Sequence, residues 1–255
     1  MIIDACAFVG RRPHLHSPNH GVDDLLRLMD KAGIDRAAVT PLTGAFYQNA
    51  QEANEEVFAD ISKHADRLML VAAINPAYPG WEQDITRSRD DLSAVGIRLF
   101  PNYHAYDPVS PEVSALADQA AVLGLPVFVQ VRLWDERHHP PAFMVPAVPV
   151  GQVADLAMAH PRTRFVLSMA RYGEITSALK QAQKLFADIA GVQGPTNCIR
   201  KLITDTGPDR LLFGTELMLQ YALPARYKVD YAKLPDEDRQ RLYSGNMARL
   251  LSISV

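Results

Sequence analysis

The chain has 255 residues, of which 48% are hydrophobic and 22% are charged, a composition typical of folded globular proteins and unlike that of disordered ones. Lys and Arg number 26 against 29 Asp and Glu, and the resulting net charge of −3 argues against a general nucleic-acid binder. No apolar run approaches the roughly 18 residues of a membrane span. Two cysteines give no disulfide framework, and the first residues lack a signal-peptide pattern. We therefore predict a single-domain cytoplasmic protein over residues 1–255, with neither a membrane nor a nucleic acid as partner.

Eight short apolar runs predict β-strands. Most of them are continuously apolar, as expected for parallel strands that are buried on both faces. The seventh run could also continue the helix before it. In chain order the runs are Ile2–Phe8, Arg36–Pro41, Arg67–Asn75, Gly96–Pro101, Pro126–Val131, Arg164–Met169, Leu185–Val192 and Arg210–Gly214.

Amphipathic helix patterns separate these runs. The first covers Val22–Met29 and ends at Gly33, and a later helix begins with the capping hydroxyl of Ser110 before Pro111. The last helix opens after Pro235 with three acidic residues. Eight strand–helix units predict a (β/α)8 TIM barrel. An open doubly wound sheet is the alternative, but no glycine-rich phosphate-binding loop follows the first strand.

In such barrels the chemistry lies on loops after the carboxyl ends of the strands. Arg98 lies within the fourth run, and a buried arginine needs a partner such as Glu216. Arg98 would either stabilise the barrel in an ion pair or bind an anion. His104 has the chemistry of a general acid or base, the alternative being a loop histidine bonded to backbone. Asn102 and Tyr103 are candidate binding residues beside it, although Tyr103 also suits a packing role.

The densest polar segment begins at Gln130, where the fifth strand ends. It contributes further candidate substrate-binding residues: Arg132, Glu136, Arg137 and His138. Glu136 and Arg137 could equally form a solvated ion pair. The loop runs to residue 149 and contains several prolines, which is typical of a stiff binding loop.

Several strand-end segments resemble the amidohydrolase-related (β/α)8 hydrolases and decarboxylases. The opening MIID is similar to the first strand of that family, and GIRLFPNYHAY to its fourth. GLPVFVQV, RFVLSMARYG and RLLFGTE fit strands five, six and eight, and YSGNMARLL fits the closing helix. The resemblance covers nearly the whole chain and implies the same barrel.

The resemblance also implies a metal centre whose ligands are mostly absent. The family's first-strand His-x-His corresponds to Cys6 and Phe8, its fifth-strand His to Gln130, its sixth-strand His to Met169 and its eighth-strand Asp to Glu216. A zinc-like ion needs three or four N, O or S donors. We therefore predict no cofactor, with one divalent metal such as zinc, bound through substitute ligands, as the minority alternative.

Two histidine clusters lie outside the family's ligand positions. His14 and His16 form a His-x-His in the loop after the first strand, and His138 and His139 are adjacent in the loop after the fifth. Exposed loop histidines are the interpretation that we favour for the first cluster. Adjacent histidines on extended backbone point to opposite sides, so the second pair is poorly suited to one ion.

By this resemblance we predict a hydrolase or lyase that acts on a small anionic, carboxylated molecule without the usual metal. Arg98, Arg132 and Arg137 would hold the anion. The alternative is an inactive barrel with a binding or structural role, which a mouth filled by Phe8, Met169 and Met218 would favour. Self-association is left open. The candidate catalytic residues are His104, Glu216 and Gln130.

Overall fold

The computed structural model describes residues 1–13, 18–135, 144–195 and 197–254. Eight parallel strands follow one another around a single sheet in sequence order. They are β1 Ile3–Val9, β2 Arg36–Pro41, β3 Leu68–Ala73, β4 Gly96–Leu99, β5 Val127–Gln130, β6 Phe165–Ser168, β7 Phe186–Asp188 and β8 Leu211–Leu212. Each of the eight predicted runs coincides with a strand, including the ambiguous seventh.

Backbone hydrogen bonds close the sheet into a barrel. The amide of Ala5 donates to the carbonyl of Phe213 at 2.8 Å, and the amide of Phe8 donates to that of Leu217 at 3.1 Å. β1 is therefore bonded to the chain that leaves β8. The predicted (β/α)8 TIM barrel is confirmed, and the open doubly wound sheet is wrong.

Helices surround the barrel. Over the described residues they are α1 Val22–Ala32, α2 Ala50–Ile61, α3 Trp81–Asp90, α4 Pro111–Leu123, α5 Val150–Ala159, α6 Tyr172–Gln181, α7 Cys198–Thr206, α8 Ala222–Asp230, α9 Asp236–Gln240 and α10 Asn246–Leu251. A π-helical turn at Arg241–Gly245 joins α9 to α10.

The predicted helix ends are confirmed. Gly33 ends α1 in the left-handed conformation at φ 64°, which a residue without Cβ adopts readily. The Ser110 hydroxyl accepts a hydrogen bond from the amide of Val113 at the start of α4, with Pro111 in the first turn.

The core has one apolar layer between sheet and helices and a second inside the barrel. Ile3, Phe128 and Leu212 belong to the inner layer, and Met247 and Leu250 of α10 pack against it. This packing places the rigid layer near the amino-terminal ends of the strands and leaves the polar side chains at the other end.

In the described part of the chain, no helix is both long and apolar enough to cross a membrane. The cytoplasmic location, the single domain over residues 1–255 and self-association stay predictions.

Candidate active site

Arg98 lies inside the barrel, and its side chain is 0% exposed. It is the third residue of β4, where alternation along the strand turns it to the barrel interior. Its Nε donates to Thr40 Oγ1 at 3.0 Å, and its terminal nitrogens donate to Gln130 Oε1 and to the carbonyl of Ala5, the latter at 3.4 Å. A guanidinium is thus fixed in the barrel by three acceptors.

Gln130 connects Arg98 to Glu216. Because its Oε1 accepts from the guanidinium, the amide orientation is fixed and its Nε2 donates to Glu216 Oε1 and to the carbonyl of Arg132. No ion pair joins Arg98 to a carboxylate of the described residues. The direct Arg98–Glu216 partnership expected from the sequence is wrong, because β5 inserts an amide between the two charges.

Glu216 is a buried acid at the end of β8. Its backbone and that of Met169, at the end of β6, are left-handed, with φ of 57° and 60°, conformations that non-glycine residues adopt mainly at constrained sites. Gln220 Nε2 donates to its second carboxyl oxygen at 3.2 Å. Burial and the nearby Asp188 raise the pKa of Glu216 well above its ordinary value, against the attraction of Arg98. Burial therefore favours the protonated form of Glu216.

Two further carboxyls are buried in the same region. Asp4 accepts from the amides of Cys6 and Thr215 and from the Thr215 hydroxyl, and burial raises its pKa to about 7. Asp188, the last residue of β7, accepts two backbone N–H groups at 3.2 and 3.0 Å. Burial also raises the pKa of Asp188, whereas the positive charge of Arg98 lowers it. One guanidinium thus stands among three carboxyls, and protonation limits their repulsion.

Apolar side chains cover this polar group. Phe8 and Leu133 are fully buried, and Trp134 is 6% exposed. Phe46, Tyr103 and Trp134 pack as an aromatic cap, with ring centroids 5.6 to 6.4 Å apart. Because Arg98 and Glu216 are 0% exposed beneath this layer, a ligand cannot reach them along the barrel axis.

A cavity of about 720 Å³ opens at the edge of the mouth, between α1, α8 and the loops that follow β1, β5, β7 and β8. We call it the α1–α8 cavity. Gln220 and Thr215 line it, and they hydrogen-bond to Glu216 and Asp4 respectively. Gln220 therefore separates the cavity from the buried acid Glu216.

The candidate residues that follow β4 form their hydrogen bonds outside this polar group. The Nε2 of His104 lies 2.9 Å from the carbonyl of Gly44, and burial lowers the pKa of His104 to about 4, so the ring is neutral at pH 7. Asn102 donates to the carbonyl of Pro146. Tyr103 belongs to the aromatic cap, and burial raises its pKa above the ordinary value.

Arg132 forms an ion pair instead of an open anion site. Its two terminal nitrogens donate to the carboxyl oxygens of Glu174 on α6, at 2.5 and 2.8 Å. One of these nitrogens also donates to the carbonyl of Met169 at 2.8 Å, so three donor contacts hold the guanidinium in place. Glu136, Arg137 and His138 lie outside the described residues.

The residues at the family's ligand positions do not fit its metal centre. Phe8 has no donor atom, and the side-chain oxygen of Gln130 accepts from Arg98. Burial raises the pKa of the Cys6 thiol well above its ordinary value, which disfavours the thiolate that binds metals. The guanidinium carbon of Arg98 lies 5.3 Å from the centre of the Phe8 ring, so a cation already stands beside two of these positions.

No group of three His, Cys, Asp or Glu side chains suited to an ion occurs within residues 1–13, 18–135, 144–195 and 197–254. His14, His16, His138 and His139 lie outside these ranges.

Sequence reasoning missed several polar groups of this region. Asp188 interrupts an apolar run as Arg98 does, and the same argument would have found it. Gln220 follows Glu216 by four residues, but no motif marks it. No motif marks Arg12, which lines the α1–α8 cavity and hydrogen-bonds to Met218 and Leu219, more than 200 residues away in the sequence.

Comparison with known proteins supports the resemblance. The family model described as Amidohydrolase matches residues 11–253. No curated protein sequence matches the chain.

Solved structures share the fold. A 5-carboxyvanillate decarboxylase from Sphingomonas paucimobilis superposes with a TM-score of 0.77 at 14% identity, covering 99% of both chains. One from Novosphingobium aromaticivorans, with bound manganese and 3-methoxy-4-hydroxy-5-nitrobenzoic acid, gives 0.77 at 14% identity over 99% of this chain and 97% of that one. A 4-oxalomesaconate hydratase from Rhodopseudomonas palustris gives 0.71 at 17% identity over 99% and 96%. At these identities the likeness shows the fold alone.

Proposed function

Starting from a chain that belongs to the amidohydrolase family over residues 11–253, we propose an enzyme, a lyase or hydrolase, that acts on a small carboxylated molecule without a metal. Decarboxylases and a hydratase among the solved structures of this fold support the substrate class. The observation that carries the proposal is the chain of contacts Arg98–Gln130–Glu216. It joins a permanent cation to a buried acid whose pKa is raised.

Arg98 supplies the positive charge. Its guanidinium contacts Gln130 and Phe8, which stand at two positions where the family resemblance places metal ligands. A fixed cation in a region of low dielectric constant stabilises negative charge that develops during a reaction, and it needs no rearrangement to do so.

Glu216 supplies the proton. In a lyase reaction the bond between the substrate carbon and its carboxylate breaks, carbon dioxide leaves, and the electron pair remains on the carbon. The Glu216 proton then bonds to that carbon, and water restores the proton to Glu216. In a hydrolase reaction Glu216 would protonate the leaving group while water attacks. In either case Gln220 must turn away from Glu216 to open it to the α1–α8 cavity.

Turnover after chelation tests this proposal. The purified protein, treated with EDTA, is assayed on ring carboxylates, lactones and amides by carbon dioxide release and by absorbance. We expect turnover that survives chelation and falls about 100-fold or more in Glu216→Gln, while the exposed control Glu112→Gln retains it. Activity that is lost on chelation and restored by manganese would contradict the proposal.

A non-catalytic binding protein is the second candidate, and the filled mouth favours it. Phe8 is 0% and Met169 2% exposed, so two of the three side chains named from the sequence do fill the mouth, whereas Met218 is half-buried. The absence of turnover on every substrate class, together with retained ligand binding, would favour this candidate.

A further inference from the structure

The α1–α8 cavity has the size and the walls of a small-molecule site. Its volume of about 720 Å³ lies within the usual range of such sites. Leu28 and Ala32 of α1, Leu223 and Ala225 of α8, and Leu219 of the loop after β8 line it. These side chains offer an apolar slot to the body of a ligand.

The charged groups of this cavity are mostly positive. Arg12, Lys31 and Lys228 line it, against one carboxylate, Asp135. Among the described residues, none of the three cations forms an ion pair, and Asp135 accepts from Gln193 at 3.4 Å. Because the whole chain carries a net charge of −3, this is a local concentration of positive charge. Such a site attracts anions.

Arg12 is held so that part of its donor capacity remains. One terminal nitrogen donates to the carbonyls of Leu219 and Met218, which fixes the guanidinium against the loop after β8. Its Nε is buried without a partner within the described ranges, and its other terminal nitrogen donates to none of the described residues. Lys228 donates to the carbonyl of Val192, and an ammonium group carries three donors. Both cations can therefore bond to a carboxylate.

We propose that the α1–α8 cavity binds a carboxylate whose apolar body consists of one or two rings. Arg12 and Lys228 receive the carboxylate, and the body lies between Leu28 and Leu223. The inference rests on the proposed function only in identifying this ligand with the substrate, since the binding depends on the cavity alone. The ligand then lies against Gln220, which touches Glu216.

Calorimetric titration with 2-naphthoate tests the site. We expect binding to the intact protein, with Arg12→Gln weakening it about 10- to 100-fold, the range for a lost charge-assisted hydrogen bond. The exposed neighbour Arg11, which does not line the cavity, gives the matched control Arg11→Gln, with an expected change below about twofold. The neutral 2-naphthamide should bind more weakly than 2-naphthoate, and inorganic phosphate, which has no apolar body, should not displace it.

A second variant covers the case in which Arg12→Gln disturbs the loop that Arg12 holds. Leu223→Trp fills the cavity from α8 and should also abolish binding, while circular dichroism shows whether each variant is folded. Equal affinity in the wild type, Arg12→Gln and Leu223→Trp, or no binding to the wild type, would overturn the inference. Glu216→Gln should still bind 2-naphthoate. Binding of 2-naphthoate together with the absence of turnover on every substrate class would therefore count against the proposed enzyme and leave the site in place.

Discussion

Replacing Arg98 with methionine removes the cation at the centre of the polar group and keeps an unbranched apolar stem. The guanidinium carbon lies 5.3 Å from the Phe8 ring centre and 5.2 Å from that of Phe128, so the methionine side chain can pack where the arginine stem packs. Thr40 Oγ1 and Gln130 Oε1 lose their donor. The substitution therefore tests charge and hydrogen bonding more than volume.

The expected loss is large because the remaining groups are buried. Removing one partner of a buried charged group typically costs 3 to 5 kcal/mol, so we expect Arg98→Met to lower the free energy of unfolding by about 4 kcal/mol at pH 7. Without Arg98, which lowers the pKa of Asp188 and of Glu216, these pKa values rise further. A carboxyl with a raised pKa contributes stability at low pH and loses it as the pH rises. A carboxyl that is ionised in the folded wild type and neutral in the folded variant increases the deficit by about 1.4 kcal/mol per pH unit as the pH rises. The deficit should therefore be smaller at pH 5 than at pH 7.

Urea denaturation followed by tryptophan fluorescence at pH 5, 6 and 7 measures this deficit. Arg200→Met, at an exposed arginine of α7, is the matched control and should change the free energy of unfolding by less than about 0.5 kcal/mol. A loss below about 1 kcal/mol that does not vary with pH would refute the reasoning, because the buried carboxyls would then need no cation.

Three further predictions concern the residues around this group. The carboxyl of Asp4 has a folded pKa of about 7 against 3.8, so it makes the wild type less stable as the pH rises from 5 to 7. Over this range the neutral Asp4→Asn should therefore gain about 2 to 3 kcal/mol relative to the wild type in urea denaturation. A constant difference would count against the raised pKa. A Cβ on Gly191 would lie 2.6 Å from backbone atoms at the end of β6. Gly191→Ala should therefore lower the free energy of unfolding by about 3 kcal/mol in the same assay. An unchanged denaturation midpoint would contradict this packing. Arg132→Met should lower the free energy of unfolding by about 2 to 3 kcal/mol, because it leaves Glu174 without its ion-pair partner. Adding Glu174→Gln should recover part of this loss. No recovery in the double variant would contradict a structural role for the ion pair.

The fold could be predicted because the apolar runs and the helix caps both indicated the strand–helix repeat of a barrel. Buried parallel strands need continuous apolar runs, and the caps at Gly33 and Ser110 fix where helices end and begin. Even the short β7 was found as an apolar run. The strand bounds were predicted less accurately because a strand ends where its hydrogen bonds to the neighbouring strand end. The apolar run of one strand does not show where that pairing stops.

The site was predicted only in part. Arg98 and Glu216 were named as candidates because strand-end polar residues of a barrel converge, a rule of the fold and not of any motif, and their roles in a reaction stay predictions. The bridging role of Gln130 was not found, because it depends on side-chain orientation across three strands. The ion pair of Arg132 with Glu174 spans 42 residues, and no local pattern joins such a pair.

The metal content of the purified protein tests the central claim most directly. Plasma mass spectrometry before and after chelation, on the wild type, Cys6→Ala and Glu216→Ala, gives metal per chain for the two donors that could still bind an ion. A metal-free site built on Arg98 predicts well below one equivalent in all three proteins. Near-stoichiometric manganese, zinc or iron that is lost in either variant would contradict it.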